Sequence, residues 1–373
     1  MTTIRTLIVD DSSLVRRLLV SLLDRFSDIE VVGTAQDAYA ARDLLVTLRP
    51  DVVLLDIHMP RMDGVSFLRR YMRVCPTATV VLSTSVTTNE QLVLEAIDAG
   101  AVDVIDKPSI DVLRNSDATS EALVNRIRDA ARANPILRNS SSAEGRTIRE
   151  RLLASAPPAA NPVVVAIGAS TGGVAALAQI LSNLPAAFPG TVIVQHMPQG
   201  TTRSLAASLD DTSPLQVRQA QQGDLVRPGT ALIAPANDLH MVVEASRHQL
   251  FIAFDDTGPK HHQRPAVDVL FESVSQATSF HRVGVILTGM GRDGAQGLLA
   301  IRNAGGRTLA QDSGSSVVNG MPEAAWQLGA AEMRCSLGEI PERLVALATG
   351  ISAATPPPRE ANIIVNTPLT RKG

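Results

Sequence analysis

The residues best suited to covalent chemistry in this chain lie in the segment Asn161–Gly173. An apolar run predicted to be a strand, Val163–Ile167, leads into Gly168–Gly173, where residues 168–172 match the pattern G-x-S-x-G. Such a turn presents a serine hydroxyl above the carboxyl end of a parallel strand, beside free N–H groups of the following helix. Ser170 is therefore a candidate nucleophile. A hydroxyl is a weak nucleophile unaided, so the chain must also supply a base and donors for an oxyanion.

A candidate base and a candidate orienting acid also follow predicted strands. His196 comes directly after the strand Thr191–Gln195, and Asp293 closes the glycine-rich loop Thr288–Gly294. Near Ser170, the imidazole of His196 can accept the hydroxyl proton while Asp293 orients it. Each residue also has a simpler interpretation. His196 can cap a helix, the glycine-rich loop can be an anion-binding loop or a plain turn, and Asp293 can cap a helix starting at Ala295.

The order of these residues excludes two familiar classes. The order Ser170, His196, Asp293 differs from the serine, acid, histidine order of α/β-hydrolases. A dinucleotide site is excluded because Ser170 occupies the second glycine position of G-x-G-x-x-G.

A second group of reactive side chains lies in the first third of the chain. Asp10 and Asp11 follow the first predicted strand, Asp56 the third, Thr84 the fourth and Lys107 the fifth. Carboxylates that converge on one point repel one another unless a cation joins them, and an all-oxygen ligand set suits Mg²⁺. Lys107 and the Thr84 hydroxyl can then contact the oxygens of a phosphoryl group on Asp56.

The elements that must position these residues alternate regularly between strand and helix. Five β/α units precede residue 133, with nearly continuous apolar strands, and such a pattern predicts a doubly wound parallel sheet whose functional edge is the carboxyl edge. The periodicity fails over 134–161, whose composition is that of a flexible linker, and resumes over 162–350. We expect residues 351–373 to be disordered. The predicted fold class is α/β, with two doubly wound, mainly parallel-sheet domains.

The first domain resembles a response-regulator receiver domain, which is a flavodoxin-like fold. The resemblance runs from Met1 to about Ala133 and rests on Asp10-Asp11, on Asp56 within residues 54–64, on Thr84 and on Lys107-Pro108. It implies that Asp56 is the phosphoacceptor, that Thr84 is the switch hydroxyl and that Lys107 contacts the phosphoryl group. It further implies that Asp10, Asp11, Asp56 and the His58 carbonyl bind Mg²⁺. One departure is Val104, which stands where receivers often have an aromatic switch residue.

Both domains together resemble the chemotaxis protein-glutamate methylesterase family, with a Rossmann-like three-layer catalytic domain. The matching segments are residues 168–173, 194–198, 233–235, 264–268 and 287–294. The resemblance implies that Ser170 is the nucleophile, His196 the general base and acid, and Asp293 the orienting carboxylate. It also implies an oxyanion hole formed by the Met290 N–H with help from Thr171. The implied reaction is hydrolysis of γ-glutamyl methyl esters on chemoreceptor cytoplasmic helices, with glutamine deamidation as a related activity and no cofactor for the ester chemistry.

A loose linker between a receiver and a hydrolase predicts control by phosphorylation. In this hypothesis the unphosphorylated receiver covers the cleft of Ser170, and a histidine kinase that phosphorylates Asp56 releases it. Two alternatives are a receiver-controlled serine esterase that acts on a small-molecule or other protein ester, and a receiver joined to a DNA-binding output. The net charge of −3 and a long second half that alternates strand and helix argue against DNA binding.

Composition sets the remaining expectations. The 373 residues are 45% hydrophobic and 19% charged, which is typical of globular protein and predicts no nucleic-acid partner. Only two cysteines occur, Cys75 and Cys335, so a disulfide framework or zinc cluster is not expected. No signal-peptide pattern and no membrane-length apolar run is found, so we expect a cytoplasmic protein without direct membrane insertion.

Overall fold

The computed structural model describes residues 3–83, 90–107, 117–133, 162–246 and 249–349. The predicted linker over 134–161, the predicted tail over 351–373, and the residues Thr84 and Pro108 lie outside this described part.

The first domain is the expected five-unit parallel fold. Its elements in chain order are β1 (Ile4–Val9), α1 (Ser13–Leu23), β2 (Ile29–Ala35), α2 (Ala38–Leu48), β3 (Val52–Asp56), α3 (Gly64–Tyr71), β4 (Ala78–Ser83), α4 (Glu90–Ala99), β5 (Asp103–Asp106) and α5 (Asp117–Ala130). The strand order is β2-β1-β3-β4-β5, and every pairing is parallel. Every residue of β3 and β4 is buried, as expected for strands covered by helices on both faces.

Short polar side chains begin the helices of this domain. The Ser12 hydroxyl accepts the Val15 N–H at the start of α1, and the Asp37 carboxylate accepts two N–H groups at the start of α2. Asp63 does the same for α3 by accepting the Ser66 N–H. Each cap satisfies backbone donors that the first turn leaves free, which fixes where the helix starts.

The second domain is built on a seven-stranded sheet. Its elements are β6 (Val163–Ala169), α6 (Gly173–Leu181), β7 (Gly190–Gln195), α7 (Thr202–Asp210), β8 (Gln216–Gln219), β9 (Thr230–Ile233), β10 (His240–Ser246), β11 (Gln249–Asp255), α8 (Val267–Ser275), β12 (His281–Ile286), α9 (Ala295–Asn303), β13 (Arg307–Gln311), α10 (Gly320–Gln327), β14 (Met333–Cys335) and α11 (Ile340–Thr349). The order β14-β13-β12-β6-β7-β9-β8 is wholly parallel, and β10 and β11 form a separate antiparallel hairpin.

Both sheets place their candidate residues at a topological switch point. From β6 the chain builds outward through β7, and it later returns to add β12 on the other side of β6. Ser170 follows β6, and the loop containing Asp293 follows β12, so the two flank this crevice. In the first domain Asp10 and Asp56 likewise follow or end the adjacent strands β1 and β3. Ligands of open α/β sheets bind in such crevices at the carboxyl edge.

The two domains pack against each other through α4. This helix contacts α7, and Leu94 of α4 is buried in the same hydrophobic cluster as Leu205 and Leu209 of α7. Of the helices in the described ranges, none is both long and apolar enough to cross a membrane.

Candidate active site and phosphorylation site

The nucleophile turn is held in place by close backbone contacts. The Ser170 N–H donates to the Thr288 carbonyl at 3.0 Å, which joins the ends of β6 and β12. Gly172 has a φ of +79°, a left-handed conformation that glycine adopts without steric cost, and it forms the N-cap of α6. A Cβ at Gly289 would lie 2.8 Å from the Ser170 Cβ. Ser170 is only 3% exposed, so its position is tightly constrained.

His196 and Asp293 form a buried hydrogen-bonded pair. The His196 Nε2 atom lies 2.8 Å from the Asp293 Oδ2 atom, and both side chains are almost fully enclosed. Burial acts to raise the pKa of Asp293, but the hydrogen bond and charge of His196, with two backbone N–H groups, outweigh it and hold that pKa below its ordinary value. Asp293 is therefore held as a carboxylate that can stabilise an imidazolium.

The two backbone donors to Asp293 come from the N-terminus of α8. The Val267 N–H donates to Oδ2 at 2.8 Å and the Asp268 N–H donates to Oδ1 at 2.9 Å. The N-cap residue of α8 is Ala266, which has no side chain able to cap, so Asp293 fills that role from a distant segment. The interpretation of Asp293 as the cap of its own following helix is wrong, because α9 begins after Gly294 without a side-chain cap.

Ser170 and His196 line one pocket, together with Thr171 and Gln195. No hydrogen bond joins the Ser170 hydroxyl to the imidazole within the described ranges, and such bonds often tighten only when substrate is bound. Because Nε2 faces Asp293, the ring nitrogen left for the serine proton is Nδ1.

Two candidate oxyanion donors flank the nucleophile. The Thr171 hydroxyl is buried and has no hydrogen-bond partner among the described residues. Met290 follows Gly289, the residue whose backbone approaches Ser170, and its own N–H donates to no atom of the described part of the chain. Donors that have no acceptor among the described residues can bind an oxyanion, so both groups are suited to a charge that develops during reaction.

The first domain forms part of the wall of the same pocket. Its residues Ile97, Val102, Asp103 and Val104 line the pocket opposite the turn that bears Ser170. Val104, the residue that replaces the common aromatic switch residue, is 4% exposed. Val104, the position that departs from the receiver pattern, thus lies in the wall of the Ser170 pocket.

The candidate phosphorylation site brings Asp10, Asp56 and Lys107 together. The Lys107 ammonium lies 2.6 Å from the Asp10 Oδ2 atom and 2.8 Å from the Asp56 Oδ2 atom. Burial, with added repulsion from Asp56, raises the pKa of Asp10 above its ordinary value despite the Lys107 contact. Burial acts to lower the pKa of Lys107, but the two carboxylates reverse this and raise it. Lys107 therefore stays charged and neutralises part of the acidic cluster.

The donor set of this site fits Mg²⁺. Asp10, Asp11 and Asp56 each offer an oxygen, and these oxygens lie within 4.8 Å of one another. Asp11 is exposed, which leaves one side open to water ligands, and Mg²⁺ commonly keeps several. The His58 N–H donates to Asp56 at 3.3 Å, so the His58 backbone lies beside the acceptor carboxylate.

Sequence reasoning missed several residues that support the esterase site. The Gln195 amide donates to the Ser170 carbonyl at 2.8 Å and to the His196 carbonyl at 3.0 Å. The Thr288 hydroxyl donates to the Thr171 carbonyl at 2.9 Å, and the Thr288 N–H donates to the Gln311 side chain at 2.8 Å. Gln195 and Thr288 lie inside motifs that the sequence analysis identifies. Membership of those motifs was the only sequence signal that could have indicated their supporting role.

Other histidines and arginines have structural partners. His240 begins β10 and is fully buried, with its ring bonded to Gly258 and Ala266. The His261 Nε2 atom lies 2.9 Å from the Asp268 Oδ2 atom. Arg264 donates to the Thr257 carbonyl and lies 3.6 Å from Asp238.

Comparison with known proteins identifies both domains. The family model for CheB methylesterase matches residues 165–344, and the model for the response regulator receiver domain matches residues 6–116. A protein-glutamate methylesterase/protein-glutamine glutaminase of Bdellovibrio bacteriovorus is 44% identical over 350 residues, covering 90% of this chain and 95% of the relative.

Further relatives carry the same description. The protein-glutamate methylesterase/protein-glutamine glutaminase encoded in the group 2 operon of Cereibacter sphaeroides is 45% identical. The match covers 94% of this chain and 93% of that relative. The crystal structure of the Thermotoga maritima CheB methylesterase catalytic domain is 40% identical, with a TM-score of 0.48, and covers 50% of this chain and 99% of that one. The chain belongs to the family of receiver-containing protein-glutamate methylesterases/protein-glutamine glutaminases.

Proposed function

We propose that this chain hydrolyses glutamyl methyl esters on chemoreceptor cytoplasmic helices, and deamidates glutamines there, through Ser170, His196 and Asp293. The observation that carries the proposal is the buried His196–Asp293 pair at 2.8 Å, in a pocket lined by both Ser170 and His196. Family membership supplies the reaction class, and the geometry supports the role proposed for each residue.

In the proposed mechanism, each proton transfer involves a named atom. His196 Nδ1 accepts the Ser170 proton as Oγ attacks the ester carbonyl carbon, and Asp293 stabilises the imidazolium that results. The Met290 N–H and the Thr171 hydroxyl hold the oxyanion. His196 then returns the proton to the leaving methoxide, or to the leaving amine of a glutamine. Water attacks the acyl-serine by the same route and releases the glutamate carboxylate, with methanol or ammonia as the other product.

We further propose that phosphorylation of Asp56 by a histidine kinase controls access to Ser170. The receiver residues Ile97 and Val104 line the Ser170 pocket, which supports a model in which the unphosphorylated receiver covers it. Mg²⁺ held by Asp10, Asp11, Asp56 and the His58 carbonyl would neutralise charge as the phosphoryl group arrives. Lys107, with Thr84, would then contact the phosphoryl oxygens. The proposed domain bounds are 1–133 and 162–350.

Methanol release from methylated receptor membranes tests the proposal. Wild type should release methanol faster with a small phosphodonor than without it, whereas Ser170→Ala should release none in either condition. Ser182→Ala is the matched control, because Ser182 is the C-cap residue that follows α6 and its hydroxyl donates to the Gln179 carbonyl. Equal rates in wild type and Ser170→Ala would defeat the catalytic assignment. An Asp56→Asn variant that still responds to the phosphodonor would defeat the control mechanism.

A further inference from the structure

A second buried carboxylate lies directly behind the catalytic one. Asp268 is completely buried, and its carboxylate offers an oxygen within 4.8 Å of an oxygen of Asp293. Its own N–H is one of the two backbone donors that hold Asp293. The sequence contains Asp268 in a family motif, but neither the motif nor the catalytic assignment gives it a role.

The Asp268 carboxylate also joins the elements that frame Asp293. Its Oδ1 atom accepts the Gly297 N–H at 2.7 Å, which ties the start of α8 to the first turn of α9. Those helices pack closely here, since a Cβ on Gly297 would lie 2.7 Å from the Asp268 carbonyl oxygen. Asp293 lies between the two helices in sequence and in space. A shift of Asp268 would therefore move the N–H groups of Val267 and Asp268 that donate to Asp293.

His261 is the counter-group of Asp268. Its Nε2 atom lies 2.9 Å from the Asp268 Oδ2 atom, and its side chain is 33% exposed at the surface. His261 and His262 have φ values of +53° and +61°, a left-handed conformation that side chains other than glycine rarely adopt. Strain of this kind persists only where the surrounding structure holds it. In the described residues, His261 has a charged partner and His262 has no polar contact.

The groups around Asp268 have opposing effects on the pKa of its carboxyl. Burial raises the pKa of the Asp268 carboxyl and repulsion from Asp293 adds to this, while the Gly297 N–H, His261 and the nearby charge of Lys260 oppose it. Lys260 is itself 2.6 Å from Glu272, one turn along α8, so its charge is partly compensated. His261 is thus the side chain in hydrogen-bond contact with Asp268 that opposes this rise in its pKa.

We infer that Asp268 is a positioning residue for the His196–Asp293 pair, and that His261 holds Asp268 as an anion. The second negative charge stabilises the imidazolium of His196 through Asp293, and the bond to Gly297 fixes the turn that donates to Asp293. The inference rests on the proposed function of His196 as the general base.

Three substitutions to asparagine test the inference in the full chain. Asp268→Asn keeps the shape and an acceptor for Gly297 but removes the charge. His261→Asn and His262→Asn form a matched pair, because asparagine tolerates the left-handed conformation at both positions. The readouts are the pH profile of methanol release with saturating phosphodonor, and an NMR titration of the His196 imidazole, which needs no turnover.

Asp268→Asn should lower kcat about tenfold and leave KM within about twofold of the wild-type value. It should also move the acid limb of the pH profile of methanol release, and the NMR titration of His196, to lower pH by about one unit. His261→Asn should shift the acid limb and the His196 titration in the same direction but by a smaller amount. His262→Asn should have the wild-type values of both.

An Asp268→Asn protein whose His196 titration matches wild type overturns the inference, even where activity falls, because that result indicates a structural role alone. If Asp268→Asn fails to fold, the comparison of His261→Asn with His262→Asn decides, and identical titrations in the two overturn it. A wild type that releases no methanol defeats the proposed function instead, and the NMR titration still judges the role of Asp268.

Discussion

The Gln195 side chain connects the nucleophile to its base, because one amide group donates to the backbone carbonyls of both Ser170 and His196. The two distances are 2.8 and 3.0 Å. Gln195 ends β7 and is 2% exposed, so it links the carboxyl ends of β6 and β7 from within the domain. The spacing of Ser170 and His196 therefore depends on a residue that takes no part in the chemistry.

Gln195→Leu should lower kcat about 10- to 100-fold, because small misplacements of reacting groups are costly. The substitution also removes both hydrogen bonds. The Ser170 carbonyl keeps the Gly173 N–H as a donor, whereas the His196 carbonyl keeps none among the described residues, at about 1–3 kcal/mol in the free energy of unfolding. Methanol release and chemical denaturation measure the two effects. Gln296→Leu, at an exposed position of α9, is the matched control and should leave both unchanged. Wild-type kcat in Gln195→Leu would contradict the positioning role.

Gly289→Ala should damage the site sterically. A Cβ there would lie 2.3 Å from the Met321 sulfur and 2.8 Å from the Ser170 Cβ. Overpacking of this kind costs about 1–3 kcal/mol of stability, and here it also displaces the nucleophile. Gly258→Ala is the control, because no atom lies within 4 Å of its added Cβ. Thermal unfolding and methanol release should separate the two variants, and equal behaviour would refute the close approach.

Asp293→Asn should lower kcat by about 10³- to 10⁴-fold, since an amide can neither stabilise the imidazolium nor hold the required tautomer. It should also change the pH dependence of stability. The pKa of Asp293 is depressed in the folded state, so its contribution is present above the ordinary aspartate pKa and is lost as the pH falls through the folded value. Wild type should therefore exceed Asp293→Asn in stability at pH 6 to 7, and the difference should shrink below about pH 4. Urea unfolding at several pH values measures this, and a pH-independent difference would contradict it.

The sequence predicts the two parallel α/β domains because strand-helix alternation and buried apolar runs are local signals. It also predicts which strand ends carry Ser170, His196 and Asp293, since the carboxyl edge is shared. It does not predict the hairpin of β10 and β11, which lies outside both sheets.

Long-range partners explain the rest of what sequence reasoning could not reach. Asp293 is held by N–H groups from α8, 25 and 26 residues earlier in the chain, and backbone donors have no sequence signature. The Gln195 amide donates to main-chain oxygens, which carry no sequence signature. From the sequence alone, Gln195 is therefore only a polar residue at the end of a strand. His261 looks like a solvated histidine until its pairing with a buried aspartate is seen.

Removal of Mg²⁺ by a chelator should abolish stimulation by a small phosphodonor while leaving the basal rate unchanged. The reason is that the clustered oxygens of Asp10, Asp11 and Asp56 lie in the receiver, whereas the reaction proposed for Ser170, His196 and Asp293 uses no metal ion. Methanol release with and without chelator checks this, and added Mg²⁺ should restore stimulation. A basal rate that falls with chelation would contradict the assignment of the metal to the receiver alone.

Leu94→Asp should raise the rate without phosphodonor. Leu94 lies on α4 of the receiver yet is 6% exposed, because it packs into the hydrophobic cluster that contains Leu205 and Leu209 of α7. A carboxylate in that contact opposes docking by about 2 kcal/mol, enough to change the ratio of covered to open enzyme by about thirtyfold. Val46→Asp is the matched control, since Val46 is 66% exposed on α2. Stimulation by phosphodonor should shrink in Leu94→Asp as its basal rate rises. An unchanged basal rate in a folded Leu94→Asp protein would show that contact between α4 and α7 does not limit access to Ser170.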